Sequence, residues 1–134
     1  MKFLFPLGRL LFSLIFITGA LRHFTPEGIQ HAAGLGVPLA GALVPLSGVL
    51  AMVGGLSVAI GYKARWGAWM LVIFLLPVTW WMHGYWRLSD PAAIHIQQAM
   101  FAKNLSMLGA ALLISQFGAG PASLDERLGK WGFV

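Results

Sequence analysis

The amino-acid sequence predicts an all-α protein, a bundle of four transmembrane helices with both termini on the cytoplasmic side. Three observations carry this prediction. Hydrophobic residues make up 58% of the 134 residues and charged residues only 10%, where a soluble domain runs to about a quarter charged. Mean hydropathy is +0.78, and the apolar runs approach or exceed the ~20 residues that a hydrocarbon core requires. Lysine and arginine are unevenly divided between the polar segments that join these runs, which orients the chain.

The first span is expected over residues 3–21, with Arg9 inside it, and ends at the polar stretch Arg22, His23, Phe24, Thr25, Pro26, Glu27, Gly28. A cleavable leader is the competing reading, since Met1 and Lys2 give a basic start and Thr18, Gly19, Ala20 a small-residue cleavage site. Arg9 breaks the apolar run and three more spans follow, so a retained helix is the expectation. The second span, 37–60, carries no charge over 24 residues and closes at Gly61, Tyr62, Lys63, Ala64, Arg65. Gly41, Gly48 and Gly55 recur in it every seven residues and form a small-residue seam suited to close helix packing.

The third span, 66–82, lies between Trp66 and Trp69 at one end and Trp80, Trp81, Tyr85 and Trp86 at the other. Indole rings favour headgroup level, so these read as two aromatic belts roughly 20 Å apart at ~1.5 Å per residue. Pro77 inside this span predicts a kink. The fourth span is cleanly apolar only over 105–117 and must begin near Ile94, which brings Gln97, Gln98, Lys103 and Asn104 into the helix. On a helical wheel Gln97, Phe101, Asn104, Leu108, Ala111 and Ser115 share one stripe, with Lys103 about 100° away. Lys103 either faces the bundle as a ligand-binding or counter-ion group or snorkels to the headgroups. Residues 118–134 read as a cytoplasmic tail, with Leu124, Leu128, Trp131 and Phe133 available to hold it at the interface.

Four spans place Lys2, Arg9, Lys63, Arg65, Arg127 and Lys130 on one side and Arg22, Arg87 and Lys103 on the other. Six against three puts both termini in the cytoplasm by the positive-inside rule. Arg9 is expected to snorkel toward cytoplasmic phosphates or to meet Asp125 or Glu126 of the tail. The basic residues form no stripe, which argues against nucleic acid as a partner.

Cysteine is absent, which excludes thiol relays and disulfide exchange. There is no phosphate-cradling glycine loop and no serine with a recognisable base and carboxylate. All four histidines, His23, His31, His83 and His95, lie at or just beyond the same two helix exits, but their spacing matches no metal-ligand pattern and no metal is expected. His83, next to the Trp80 and Trp81 pair, is the leading candidate for proton or quinone chemistry, because imidazole titrates near neutrality and the aromatic neighbourhood suits a flat apolar ligand.

Several segments resemble the DoxX-like small membrane proteins of bacteria. These are Arg9 and Gly19 of the first span, the 45–61 stretch PLSGVLAMVGGLSVAIG, the following YKARWGAWML, the Met82 and His83 pair with its trailing aromatics, and QQAMFAKNLSMLGAALL over 97–113. The resemblance covers about residues 5–120. It implies a four-helix membrane protein of the bacterial inner membrane, and the family takes its name from a small subunit of a thiosulfate and quinone oxidoreductase. Several relatives carry an acidic residue shortly before the paired glycines of the second span, where Ala51 stands here.

The resulting expectation is a bundle that binds a quinone-like or other small apolar molecule in its outer half. Arg22, His83, Gln97, Lys103 and Asn104 would line the polar end and Trp80, Trp81 and Phe101 the apolar walls. Its partners would be the lipid bilayer and a membrane or periplasmic oxidoreductase, to which it is accessory, or a second copy of itself. A structural or assembly subunit is the rival reading. A small transporter, which would need to dimerise, is a third.

Overall fold

The structure is a computed structural model that describes residues 2–129. Lys130 of the basic count and the interfacial contacts expected of Trp131 and Phe133 lie outside the described residues. Those residues are helical with no strand: α1 Leu4–Ala20, a 3₁₀ turn Leu21–Phe24, α2 Pro26–Gly34, α3 Ala40–Ile60, α4 Ala64–Met82, a second 3₁₀ turn Tyr85–Arg87, α5 Pro91–Phe117 and the short α6 Leu124–Arg127. Four segments are long and apolar enough to cross a membrane, Leu4–Phe24, Ala40–Ile60, Ala64–Arg87 and Pro91–Phe117.

Helices α3 and α4 form the centre; α1 packs on α3, and α5 packs on α4. The core is built from Phe16 of α1, Ala51 and Val58 of α3, Leu71 and Leu75 of α4, and Ala111 of α5. Glycine sets how closely these helices approach. A Cβ on Gly54 would stand 2.8 Å from the Gly67 carbonyl oxygen, and one on Gly67 would stand 2.4 Å from Ser57 Oγ, so α3 and α4 meet almost backbone to backbone. On the α1 side, Gly55 faces Phe16 and Ile17, and Gly48 faces His23 and Phe24. Gly41, the third member of the heptad series, has open space around it.

The helix ends follow from local chemistry. Thr25 Oγ1 accepts from the Gly28 amide at 3.1 Å and Pro26 occupies the first turn, which starts α2 within the stretch expected to be only a polar exit. Asp90 Oδ2 accepts from the Ala93 amide at 2.8 Å ahead of Pro91, so α5 begins at Pro91, three residues before Ile94. Helix α3 ends on Gly61 at φ 70°, with the Tyr62 amide donating to the Ser57 carbonyl at 3.0 Å. Helix α4 continues through Pro77, which has no amide to offer the Ile73 carbonyl.

At the end of the bundle where α1 begins and α5 finishes, the tail folds back. Arg9 is only 6% exposed. Its guanidinium donates to the carbonyls of Ala119, Pro121 (3.2 Å) and Ala122 (2.8 Å). It therefore points into the protein and holds backbone oxygens, where snorkelling or a carboxylate partner was expected. Asp125 accepts from the amides of Lys63 (2.7 Å) and Ala64 (3.0 Å), and its own amide donates to the Gly61 carbonyl at 2.8 Å. A tail carboxylate thus caps α4, which is why that helix starts at Ala64.

Candidate functional site

At the opposite end, where α1 and α4 finish and α3 begins, the helices do not close. A cavity of about 490 Å³ lies between the 3₁₀ turn after α1, α2, the first half of α3 and the second half of α4. This is the size of an ordinary small-molecule site. From Ile73 to His83 it follows α4 for ten residues, roughly 15 Å at ~1.5 Å per residue. Leu50, Ile73, Phe74 and Val78 line its deeper part, and Arg22, His23, His31 and His83 line it toward the helix exits.

The sequence places these side chains in register. Leu43, Ser47 and Leu50 recur at helical spacing on α3, and Ile73, Pro77 and Trp81 recur every four residues on α4, so one stripe of each helix meets the cavity. Helix α2 closes the side through Gly28, His31 and Ala32. Gly28 permits this closure, because a Cβ there would fall 2.0 Å from the Arg22 carbonyl oxygen.

Hydrogen bonding fixes two of the imidazoles. Ser47 Oγ donates to the Val44 carbonyl at 2.7 Å, so it is an acceptor toward His23 Nδ1 at 2.8 Å. The Val44 carbonyl is also an acceptor, 3.3 Å from the same nitrogen. Nδ1 of His23 therefore carries its hydrogen and leaves Nε2 as the second polar atom of the ring. Phe74 packs against that ring at 5.5 Å between centroids. His83 Nδ1 donates to Gln97 Oε1 at 2.8 Å, which ties the end of α4 to the first half of α5.

Of the eight residues expected to form a ligand site, Arg22, Trp81 and His83 line this cavity. Gln97 stands behind His83 as its partner. Asn104 is buried between α4 and α5, donating to Thr79 Oγ1 at 3.1 Å. Lys103 is exposed, with Nζ 3.4 Å from Met100 Sδ, and does not reach the cavity. Trp80 and Phe101 belong to an aromatic cluster around the second 3₁₀ turn: Trp80 lies 4.8 Å from Trp86, and Phe101 lies 5.6 Å from Tyr85. Three polar cavity residues were outside the expected set, His23, His31 and Ser47. The confinement of the histidines to two helix exits was the available signal for the first two, whereas Ser47 becomes visible only once α1 and α3 are packed. His95 is exposed and apart from this group. Among the described residues no three His, Asp or Glu side chains gather as a metal site.

The SURF4 family profile matches residues 39–131, which takes in α3, α4, α5 and the tail. Among curated proteins, the ER-derived vesicles protein ERV29 of Saccharomyces cerevisiae is 33% identical over 69 residues, 52% of this chain and 22% of its own length. The inner membrane protein YphA of Escherichia coli K12 is 29% identical over 99 residues, 74% of this chain and 70% of its own length. The chain therefore spans about a fifth of the first relative and just over two thirds of the second. No solved structure matches it. The family match corrects the DoxX resemblance: the matched residues 39–131 include the paired glycines and the aromatic belt on which that resemblance rested. The quinone expectation, raised from His83 and its aromatic neighbours, and the redox partnership that the resemblance implied find no support in the match. The chain is an integral membrane protein that belongs to the SURF4 family.

Proposed function

We propose that this protein binds a small, largely apolar molecule in the cavity between α2, α3 and α4, and that the cavity end of the bundle faces outward from the cytoplasm. The observation that carries the reading is the cavity itself: about 490 Å³ with apolar walls and polar groups gathered at the helix exits. Sites for small apolar ligands have this composition, with a few polar atoms to set orientation. The orientation rests on the six-against-three division of basic residues. The inner-membrane location of the bacterial relative YphA supports the same membrane for this chain.

The test is purification from native membranes in mild detergent, solvent extraction and mass spectrometry of the retained small molecules, compared with Val78→Phe, which fills the cavity from its wall. A molecule held by the wild type and lost from the variant supports the reading. Equal retention by both refutes it. Reporter fusions at the C-terminus, one active only in the cytoplasm and one only outside, test the orientation separately.

A second reading, assembly with another membrane helix, is favoured by the outward face of α5. Gln98, Ala99, Ala102, Lys103, Ser106 and Gly109 are all exposed on a helix expected to lie in lipid. Small and polar residues are what helix association in membranes uses, and a lysine facing lipid is costly. The chain has no cysteine, so Ser106→Cys gives a single oxidative crosslinking site; a crosslinked dimer or heterodimer in native membranes supports this reading, and monomer alone opposes it.

A further inference from the structure

The charge and the opening of the cavity define the class of molecule it takes. None of its lining residues is acidic. Asp90 and Asp125 are committed to helix caps, Glu126 accepts from the Ala122 amide, and Glu27 lies in the first turn of α2 outside the lining. Arg22, an exposed residue, lines it at the rim, and its guanidinium makes no hydrogen bond or ion pair among the described residues. The side chain of His31, also on the lining, is likewise without a partner among them. Two other guanidinium groups hold backbone: Arg9 holds three tail carbonyls, and Arg87 holds those of Leu35, Trp80 and Trp81. A cation left open at the mouth of an apolar cavity with no carboxylate is complementary to an anion.

The opening indicates where that anion comes from. Leu43, Leu46 and Ile73 line the cavity and remain 41%, 54% and 57% exposed, on helices expected to lie in lipid. The cavity therefore opens sideways between apolar side chains, and Ile73 lies about 15 Å along α4 from His83, at the depth of acyl chains. A water-soluble anion has no use for such an entrance. The volume suits one acyl chain, with a second chain left in the bilayer.

We propose that the cavity takes an anionic membrane lipid, its head-group anion on Arg22 beside His31 and one acyl chain between α3 and α4. This rests on the cavity reading above and specifies its ligand. The experiment is native mass spectrometry of the full chain in micelles containing equimolar phosphatidylglycerol and phosphatidylcholine with identical chains. Wild type should retain one lipid and favour the anionic one by about tenfold or more, the scale of a hydrogen-bonded contact with a charged group. Arg22→Gln should abolish the preference without changing thermal stability, Arg22→Lys should keep part of it, and Val78→Phe should lose the lipid. Equal retention of the two lipids, or an undiminished preference in Arg22→Gln, overturns the proposal and leaves the apolar cavity reading standing. Displacement of the lipid by millimolar inorganic phosphate would mark a site for free anion and also overturn it. If wild type and Val78→Phe bind neither lipid nor any other molecule, both readings fail.

Discussion

Replacing Arg9 with methionine should free the tail while leaving the cavity end of the bundle intact. Arg9 is 6% exposed, and its guanidinium donates to three carbonyls, those of Ala119, Pro121 and Ala122. Hydrogen bonds from charged donors contribute about 1.5 to 3 kcal/mol each in mutational series. The bond to Pro121 is long at 3.2 Å, and the released carbonyls can hydrate at the membrane surface, so the full sum is not expected. A loss of about 2 to 3 kcal/mol for docking the tail is a reasonable net figure, or roughly a 30- to 150-fold rise in its open population. The amides of Lys63, Ala64 and Asp125 report this directly, because all three are bonded only while the tail is seated. Hydrogen exchange followed by mass spectrometry should show that acceleration in peptides covering 61–66 and 119–128, with Gly28 and Ala93 unaffected at the other end. Arg9→Lys should fall between, since one ammonium cannot serve three carbonyls in a fork geometry. Exchange within about threefold of wild type in Arg9→Met would show that the guanidinium does not hold the tail.

Three further outcomes follow from the packing. Gly67→Ala, whose new Cβ would sit 2.4 Å from Ser57 Oγ and 3.0 Å from the Gly54 carbonyl, should lower stability by about 1 to 3 kcal/mol in detergent unfolding, whereas Gly41→Ala should be neutral or slightly stabilising. Asn104→Leu removes the buried bond to Thr79 and should cost about 0.6 and at most ~1.7 kcal/mol; Thr79→Val added to it should bring little further loss in a double-mutant cycle. Gly28→Ala forces a contact of 2.0 Å with the Arg22 carbonyl, so α2 must shift, and retention of the cavity's ligand should fall while the exchange of tail amides stays unchanged.

Much of the bundle could be read from periodicity because the bilayer leaves a chain few options. The uncharged run over 37–60 contains α3 within its bounds, and the wheel stripe on the fourth span holds all three buried residues of α5, Asn104, Ala111 and Ser115. Lys103 stood a single helical step from that stripe, and only the rotation of α5 against α4 decides that it faces outward. Helix α2 escaped a hydropathy reading because nine residues with Glu27 and His31 among them are neither long nor apolar enough, although Thr25, Pro26 and Glu27 carry a helix-start signature. The capping of α4 by Asp125 joins residues about sixty positions apart and has no local signal at all. The cavity was half legible: three of the four histidines placed at the helix exits line it and His95 does not, while its walls depend on which faces of α3 and α4 are left uncovered by α1 and α5.

On the proposed reading, the two ends of the bundle divide stability from binding. At the tail end, backbone carbonyls hold both terminal nitrogens of the Arg9 guanidinium and a carboxylate caps the facing helix, so polar groups there hold segments together. At the other end Arg87 does the same work at the edge, clamping the carbonyls of Leu35, Trp80 and Trp81, while Arg22 and His31 stay open beside a cavity. Arg9 and Arg87 show that the chain can hold guanidinium groups with backbone carbonyls, whereas Arg22 is exposed in the 3₁₀ turn after α1 and takes no such carbonyl. On the lipid reading proposed above, the partner that Arg22 lacks within the described residues comes from outside the chain, at the mouth of the apolar cavity.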